Sequence, residues 1–448
     1  MRRLDLTKGS ILKQLIKLSI PIVFSMFMLT LYFVADLWFV GRLGPSAVAA
    51  VSISINAFFV ILALAMTIGI GGMALIAQAY GRKDYQYGGR VFQQSLMLCV
   101  LTGITATAVG LSIARSYVEF FGAEGDSLVW GVEYFRYYSV LFPIMLTISV
   151  TGHCYRGMGN SKTPMIIILQ SNLLNIILDP VLIYGWAGIP GFGVKGAAIA
   201  SIISQGYGLS IYFYLIFLKG DHPAVKSAWK IDTSIIKKSL KIGAPTGFTH
   251  LVMAANMVIS YRVIGSFGID ALASLGIGFR ILQAIYLPAL AINFAMAAMV
   301  GQNFGAREYG RIVRIFWTGW ALSSCIMLAG TVVCWLVPGQ LIGIFSNKEG
   351  VIHYGIIYLT IVSLGNILIG IIQSASSTFQ GLGKTNPALI GAILGTLVYT
   401  LAVFNLPEMF GWGINAIWWC RIAALALEAA ILTVCLRSYF FHVRKMLI

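Results

Sequence analysis

The chain has 448 residues, 58% of them hydrophobic and 10% charged, with a mean hydropathy of +0.86 and a formal net charge of +16. Soluble domains carry about 25% charged residues, so a water-facing surface of this size cannot be covered and lipid must be the solvent for most of it. The 31 Lys and Arg fall mostly in short segments between apolar runs, with no basic stripe interleaved with aromatics; this argues against a nucleic-acid partner and reads as the positive-inside rule of a membrane protein.

About 20 apolar residues cross a bilayer as a helix. Spans are predicted at 18–40, 48–79, 92–114, 132–155, 164–187 and 195–218, and again at 241–262, 271–302, 314–337, 353–379, 387–406 and 413–436. Arg2, Arg3 and Lys8 precede the first run as in a signal peptide. That run is too long, however, and no small-residue cleavage site follows it, so it reads as an uncleaved first span. The hydrophilic stretch with Asp221, Lys226, Lys230, Asp232, Lys237 and Lys238 divides the chain. Residues 1–218 are expected to form an N-terminal lobe, 219–240 a cytoplasmic linker and 241–448 a C-terminal lobe. Placing both termini in the cytoplasm puts most Lys and Arg inside, as expected for a multi-pass protein of the inner membrane.

The halves repeat. A shift of 224 residues carries Lys13 onto Lys237, Pro21 onto Pro245, Gly41 onto Gly265, Gln78 onto Gln302, Gly81 onto Gly305 and Arg90 onto Arg314. The same shift carries Gly157 and Gly159 onto Gly381 and Gly383. Six spans per half is an even number, so the halves share one orientation. The fold class that follows is an all-α membrane protein with twelve transmembrane helices in two pseudo-twofold-related six-helix lobes, an arrangement used by secondary transporters. A cleft between the lobes is then expected. No Walker A sequence is present, so pumping by ATP hydrolysis is not indicated, nor is enzymatic activity. The six cysteines lie in apolar runs without a Cys-x-x-Cys pair, which suggests neither a metal centre nor a disulfide framework.

Ionisable groups inside a membrane are destabilising and by default suggest function. Setting aside Glu133 at a span edge, Asp36, Asp179 and Glu428 are the acids within predicted spans. Asp36 stands roughly 27 Å and Asp179 roughly 22 Å from the inner ends of their spans, both in the outer half of the membrane. The residue equivalent to Asp36 in the second half is Ser260. Pro180 frees the carbonyl of Ile176, Asn175 precedes Asp179 by one turn and Asn172 lies a further turn back. A carboxylate, an amide oxygen and a freed carbonyl on one broken helix can hold a proton or bind sodium. The alternative is that both acids are structural hydrogen-bond acceptors. Arg421 and Glu428, seven residues apart on one helix face, read equally as a charge pair or a solute contact. Arg280 reads as snorkelling. His153 and His250 could relay protons, although a histidine near a span end is more often a packing residue.

Four segments carry a resemblance to a known family: Asp36-Leu-Trp-Phe-Val-Gly-Arg-Leu-Gly44, Ala77-Gln-Ala-Tyr-Gly81 with its echo Gly301-Gln-Asn-Phe-Gly305, Arg156-Gly-Met-Gly-Asn-Ser-Lys-Thr-Pro164, and Asn175-Ile-Ile-Leu-Asp179-Pro180. In order and spacing the chain resembles the multidrug and toxic compound extrusion (MATE) family, most of all its DinF/MepA-like bacterial branch. The resemblance implies two six-helix lobes and antiport of small amphipathic, cationic solutes against H⁺ or Na⁺, without a cofactor, in a functional monomer surrounded by lipid. It implies ion coupling at Asp36, Asp179 and Asn175, with Na⁺ one candidate at those three. Asn172, His153, Ser149, His250 and Gln373 are candidates for the solute cleft. The chain departs from other branches: 353–379 holds Asn366 and Gln373 but no acid, and Thr249, His250 and Met253 stand where relatives carry a glutamate. Ser149, Gly152 and His153 replace the fourth-span asparagines of some relatives. The rival readings are a flippase for lipid or polysaccharide precursors, with Arg280 and Arg421 its only intramembrane cations, and a membrane protein without transport activity.

Overall fold

The protein is described by a computed structural model covering residues 4–186, 188–219, 229–410 and 413–445. Arg2, Arg3, Asp221 and Lys226 lie outside the described residues. The chain is almost wholly helical. In order the helices are α1 (Ile11–Gly41), α2 (Pro45–Gly81), α3 (Tyr85–Phe120), α4 (Gly125–Val140), α5 (Phe142–Gly157), α6 (Lys162–Tyr184), α7 (Val194–Phe213), α8 (Thr233–Gly265), α9 (Ile269–Gly305), α10 (Tyr309–Leu336), α11 (Pro338–Gly343), α12 (Glu349–Val362), α13 (Gly365–Leu382), α14 (Asn386–Phe410) and α15 (Ile414–Lys445). A π-helical turn, Tyr214–Leu218, continues α7. Between α6 and α7 a two-stranded antiparallel pair joins β1 (Gly185–Trp186) to β2 (Ile189–Pro190).

Among the described residues ten helices are long and apolar enough to cross a membrane, or eleven if α12 and α13, bent by 49° at their junction, are counted as one span. The expected span at 132–155 falls on α4 and α5, two helices of 16 residues each. They part at Leu141 because Pro143 has no N–H to continue the α4 ladder and restricts the residue before it. This pair and the bent pair α12–α13 occupy equivalent places in the two halves.

The chain divides into two compact units. One comprises Met1–Asp5 and Ile20–Gly247, the other Leu6–Ser19 and Phe248–Ile448. The division does not follow the midpoint of the sequence. The first turns of α1 belong to the second unit, where Arg311 Nη2 donates to Gln14 Oε1 at 3.0 Å. Just before them, the Leu6 N–H donates to Gln302 Oε1 at 3.2 Å and Asn303 Nδ2 donates to the Leu6 carbonyl at 3.0 Å. The first turns of α8 belong to the first unit, and Ile235 and Ile242 are buried in its core. Each helix changes unit within two residues of its internal proline, Pro21 in α1 and Pro245 in α8.

The units share one packing plan. In the first, α2 lies against α3 and α5, α6 against α7, and α7 against α4 and α5. In the second, α9 lies against α10 and α13, α14 against α15, and α15 against α12 and α13. Repeated glycines mark where backbones touch. A Cβ at Gly157 would lie 2.7 Å from the Met73 carbonyl oxygen, and one at the equivalent Gly381 would lie 2.5 Å from that of Ala297. Any larger residue would push α5 from α2, or α13 from α9. The first core gathers Phe92, Leu146, Val150, Tyr155 and Tyr212, and the second gathers Ile264, Leu359, Tyr399 and Ile417.

Candidate functional site

The outer half of α1 carries Tyr32 and Asp36 one turn apart and therefore on one face. On α6 the steps of three and four residues from Asn172 to Asn175 to Asp179 line up a second polar face. Ser201 of α7 lies between these helices. Its Oγ is 2.8 Å from Tyr32 Oη and accepts from Asn175 Nδ2 at 3.4 Å. From α4, Tyr134 and Tyr138 stack on one another with centroids 5.8 Å apart. Both rings lie close enough to Asp36 for their charges to interact. All of these side chains are buried: Asp36 is 4% exposed, and Asp179 and Asn175 are fully enclosed.

The bonds of Ser201 to Tyr32 and Asn175 bring Asp36 and Asp179, each one turn further along its helix, into one site, close enough for their charges to interact. Asp36 Oδ1, both carboxyl oxygens of Asp179 and Asn175 Oδ1 are buried and accept no hydrogen bond from the described residues. The Asn175 amide stands beside the Asp179 carboxyl but closes no hydrogen bond of ordinary geometry onto it. Buried carboxyl oxygens without partners are strongly destabilising if charged and alone. They are stable when they hold a proton or gather around a cation, and two neighbouring carboxyls with an amide oxygen suit either role.

The other candidates are dispersed. His153, on α5, is buried against Gly69 of α2, while Ser149, a turn earlier, is half-buried. His250 on α8 and Gln373 on α13 belong to the second unit. Arg280 is exposed on α9. Arg421 and Glu428 form no ion pair. Arg421 Nη1 donates instead to Asn256 Oδ1 at 3.3 Å, and the guanidinium lies 5.5 Å from the centre of the Tyr399 ring. Tyr32 and Ser201, which tie the site together, are not among the candidates expected from the sequence. The signal for Tyr32 is its one-turn spacing from Asp36; Ser201 has no comparable signal.

The MatE family model matches residues 21–181 and 245–404. The two matches begin at the equivalent prolines Pro21 and Pro245. The chain is 27% identical over 424 residues to a probable multidrug resistance protein, NorM, of Thermotoga maritima, an alignment covering 94% of this chain and 90% of that one. It is 26% identical over 437 residues to the multidrug export protein MepA of Staphylococcus saprophyticus, covering 96% and 95%. Among solved structures it superposes on an outward-facing multidrug resistance MATE family transporter with a TM-score of 0.91, at 25% identity and with 99% of each chain covered. A MATE crystal structure in complex with MaL6 gives a TM-score of 0.92 at 26% identity, over 99% of this chain and all of the other.

Proposed function

The chain belongs to the MatE family of membrane transporters, and from that premise we propose that it exports small amphipathic, cationic solutes in exchange for H⁺ or Na⁺. The observation that carries this reading is the pair of enclosed acids, Asp36 and Asp179, close enough for their charges to interact, with Asp36 Oδ1 and both Asp179 oxygens buried without a hydrogen-bond donor among the described residues. When both are empty the site favours a cation. A proton can neutralise one carboxyl directly, and Na⁺ can take oxygens from Asp36, Asp179 and Asn175. Antiport then requires that the ion and the solute stabilise different states of the protein, or compete for the same carboxyl. Alternating access by the two six-span halves couples the steps, with Pro21 and Pro245 as the points at which α1 and α8 can bend. Multidrug-named relatives at 25–27% identity support export of amphipathic small molecules.

The test is ethidium flux in liposomes under an imposed pH gradient or an imposed Na⁺ gradient. Flux driven by one gradient and abolished by Asp36→Asn identifies the coupling ion. If both Asp36→Asn and Asp179→Asn fold at normal yield and keep wild-type gradient-driven flux, the reading fails.

A further inference from the structure

The site in the first unit has a counterpart in the second with its charge reversed. Counting on by 224 residues, Tyr32 corresponds to Asn256, Asp36 to Ser260, Tyr134 to Tyr358, Asn172 to Thr396, Asn175 to Tyr399 and Asp179 to Val403. Both carboxylates are therefore absent from the second cluster. The link before the last helix is shorter: α7 starts after Gly193 and α15 after Gly413, so the register there is 220 and Ser201 corresponds to Arg421. Packing supports this register. A Cβ on Gly208 would collide with Ser171 Oγ, and in the second unit the equivalent pair is Glu428 against Gly395.

Arg421 makes the contacts of Ser201 with a charge attached. Its Nη1 donates to Asn256, as Ser201 bonds Tyr32, and it lies over Tyr399 where Ser201 meets Asn175. Asn256 is itself fixed, with Nδ2 donating to Thr396 Oγ1 at 2.6 Å, and Tyr399 Oη lies 2.9 Å from Ser260 Oγ. These bonds position the guanidinium without neutralising it. Among the described residues no carboxylate lies within 4.0 Å of it; Glu428, two turns on, packs against Gly391 and Gly395 and meets the Arg421 charge only at longer range. One turn before Arg421, Trp418 is 3% exposed and its indole N–H has no acceptor among the described residues. Its ring packs edge-on against Tyr358 at 4.8 Å, and Tyr358 is close enough to Arg421 for their charges to interact.

A half-buried guanidinium without an ion pair within 4.0 Å and an enclosed N–H without an acceptor, three residues apart on one helix, suit an acceptor with negative charge. We infer that Arg421 and Trp418 form an anion subsite that takes a carboxylate or sulfonate group of the transported solute, with Asn256 and Tyr399 as positioning residues. The inference rests on the transport reading and extends it: the solute class includes amphipaths that carry an acid group beside their cation. A guanidinium suits this role because its planar fork pairs with both oxygens of a carboxylate.

The test uses rhodamine B, a xanthylium cation with a free benzoate, and its ethyl ester, which has the same cation and no acid. Binding of each to the purified full chain is measured by fluorescence polarisation. Arg421→Gln is expected to weaken rhodamine B about ten- to a hundredfold more than it weakens the ester, the range of one charge-assisted pair, and Arg421→Lys to recover part of the difference. Equal losses for the two dyes, or wild-type binding of the ester but not the acid, overturn the proposal. So does displacement of rhodamine B by phosphatidylglycerol, which would assign the subsite to a lipid phosphate. Thermal melting establishes that each variant is folded. The antiport reading is judged separately by gradient-driven flux of the ester and its loss in Asp36→Asn; absence of flux for both dyes in the wild type would fail that reading, whatever Arg421 does.

Discussion

Ser201 Oγ lies 2.8 Å from Tyr32 Oη and ties α7 to α1 one turn before Asp36. The bond sets the rotation of the outer half of α1, because Tyr32 and Asp36 share a face and one cannot turn without the other. The same hydroxyl accepts from Asn175, so a single serine orients both the helix that carries Asp36 and the helix that carries Asp179.

Removing that hydroxyl separates positioning from charge. Ser201→Ala leaves Tyr32 Oη and Asn175 Nδ2 without their shared partner, and is expected to destabilise the protein by about 1–3 kcal/mol. It should also weaken the coupling ion severalfold although no acid is changed. Tyr32→Phe removes one of the two bonds and should fall between Ser201→Ala and the wild type. Thermal melting and the ion concentration for half-maximal flux measure the two effects; an unchanged ion dependence in Ser201→Ala would show that the serine has only a packing role.

The acids themselves should behave in the opposite sense on stability. Asp36→Asn and Asp179→Asn each remove a buried carboxyl that the described residues leave without a hydrogen bond. Loss of such a charge is expected to leave the melting temperature equal or raise it, while gradient-driven flux falls at least about tenfold, the scale of losing one ion-pairing interaction. A large fall in melting temperature would instead mark the acids as structural. Flux and melting on the same preparations distinguish the two.

Glycines at the crossing of α8 with α2 give a third expectation. A Cβ at Gly243 would fall inside van der Waals contact of the Thr67 carbonyl oxygen, a backbone atom that cannot step aside. Gly243→Ala should therefore destabilise by about 3 kcal/mol or more through overpacking, with reduced yield of folded protein. Gly206→Ala on α7, where nothing lies within 4 Å, serves as the control and should be neutral or stabilising by up to about 1 kcal/mol. Comparable melting temperatures for the two variants would contradict this packing.

The acids were legible in the sequence because a carboxylate inside an apolar run has no ordinary reason to be there. The repeat was legible because Gly157 and Gly381 answer the same backbone contact, so both halves retain them. Tyr32 and Ser201 were not legible: a tyrosine or serine in a span is equally at home bonded to its own helix, as Ser19 and Ser25 are. The charge-reversed cluster is hidden by the short link before α15. A constant shift of 224 pairs Arg421 with Ala197, and only the positions of Gly193 and Gly413 restore Ser201 as its partner. The break between α4 and α5 is likewise missed by a hydropathy window, which joins apolar residues across Pro143.

The start of α8 offers a pH-dependent test outside the membrane-spanning segments. Asp232 accepts the backbone N–H groups of Ser234 at 3.0 Å and Ile235 at 3.2 Å, and Gln94 of α3 holds the same turn by accepting from the Asp232 N–H at 3.0 Å and donating to the Lys230 carbonyl at 2.8 Å. The Ser234 side chain first, and then the Ile235 N–H, hold the Asp232 carboxyl below the usual carboxylate range. A carboxyl whose value is lower folded than unfolded stabilises fully above its unfolded value, and the contribution disappears as pH falls through the folded one. Asp232→Asn keeps an acceptor oxygen but cannot titrate. The wild type should therefore melt above Asp232→Asn at about pH 6, and the gap should close towards about pH 3. Taking the difference between the two proteins cancels the titration of every other carboxyl. A gap that stays constant over this range would show that the charge on Asp232 adds nothing to the capping of α8.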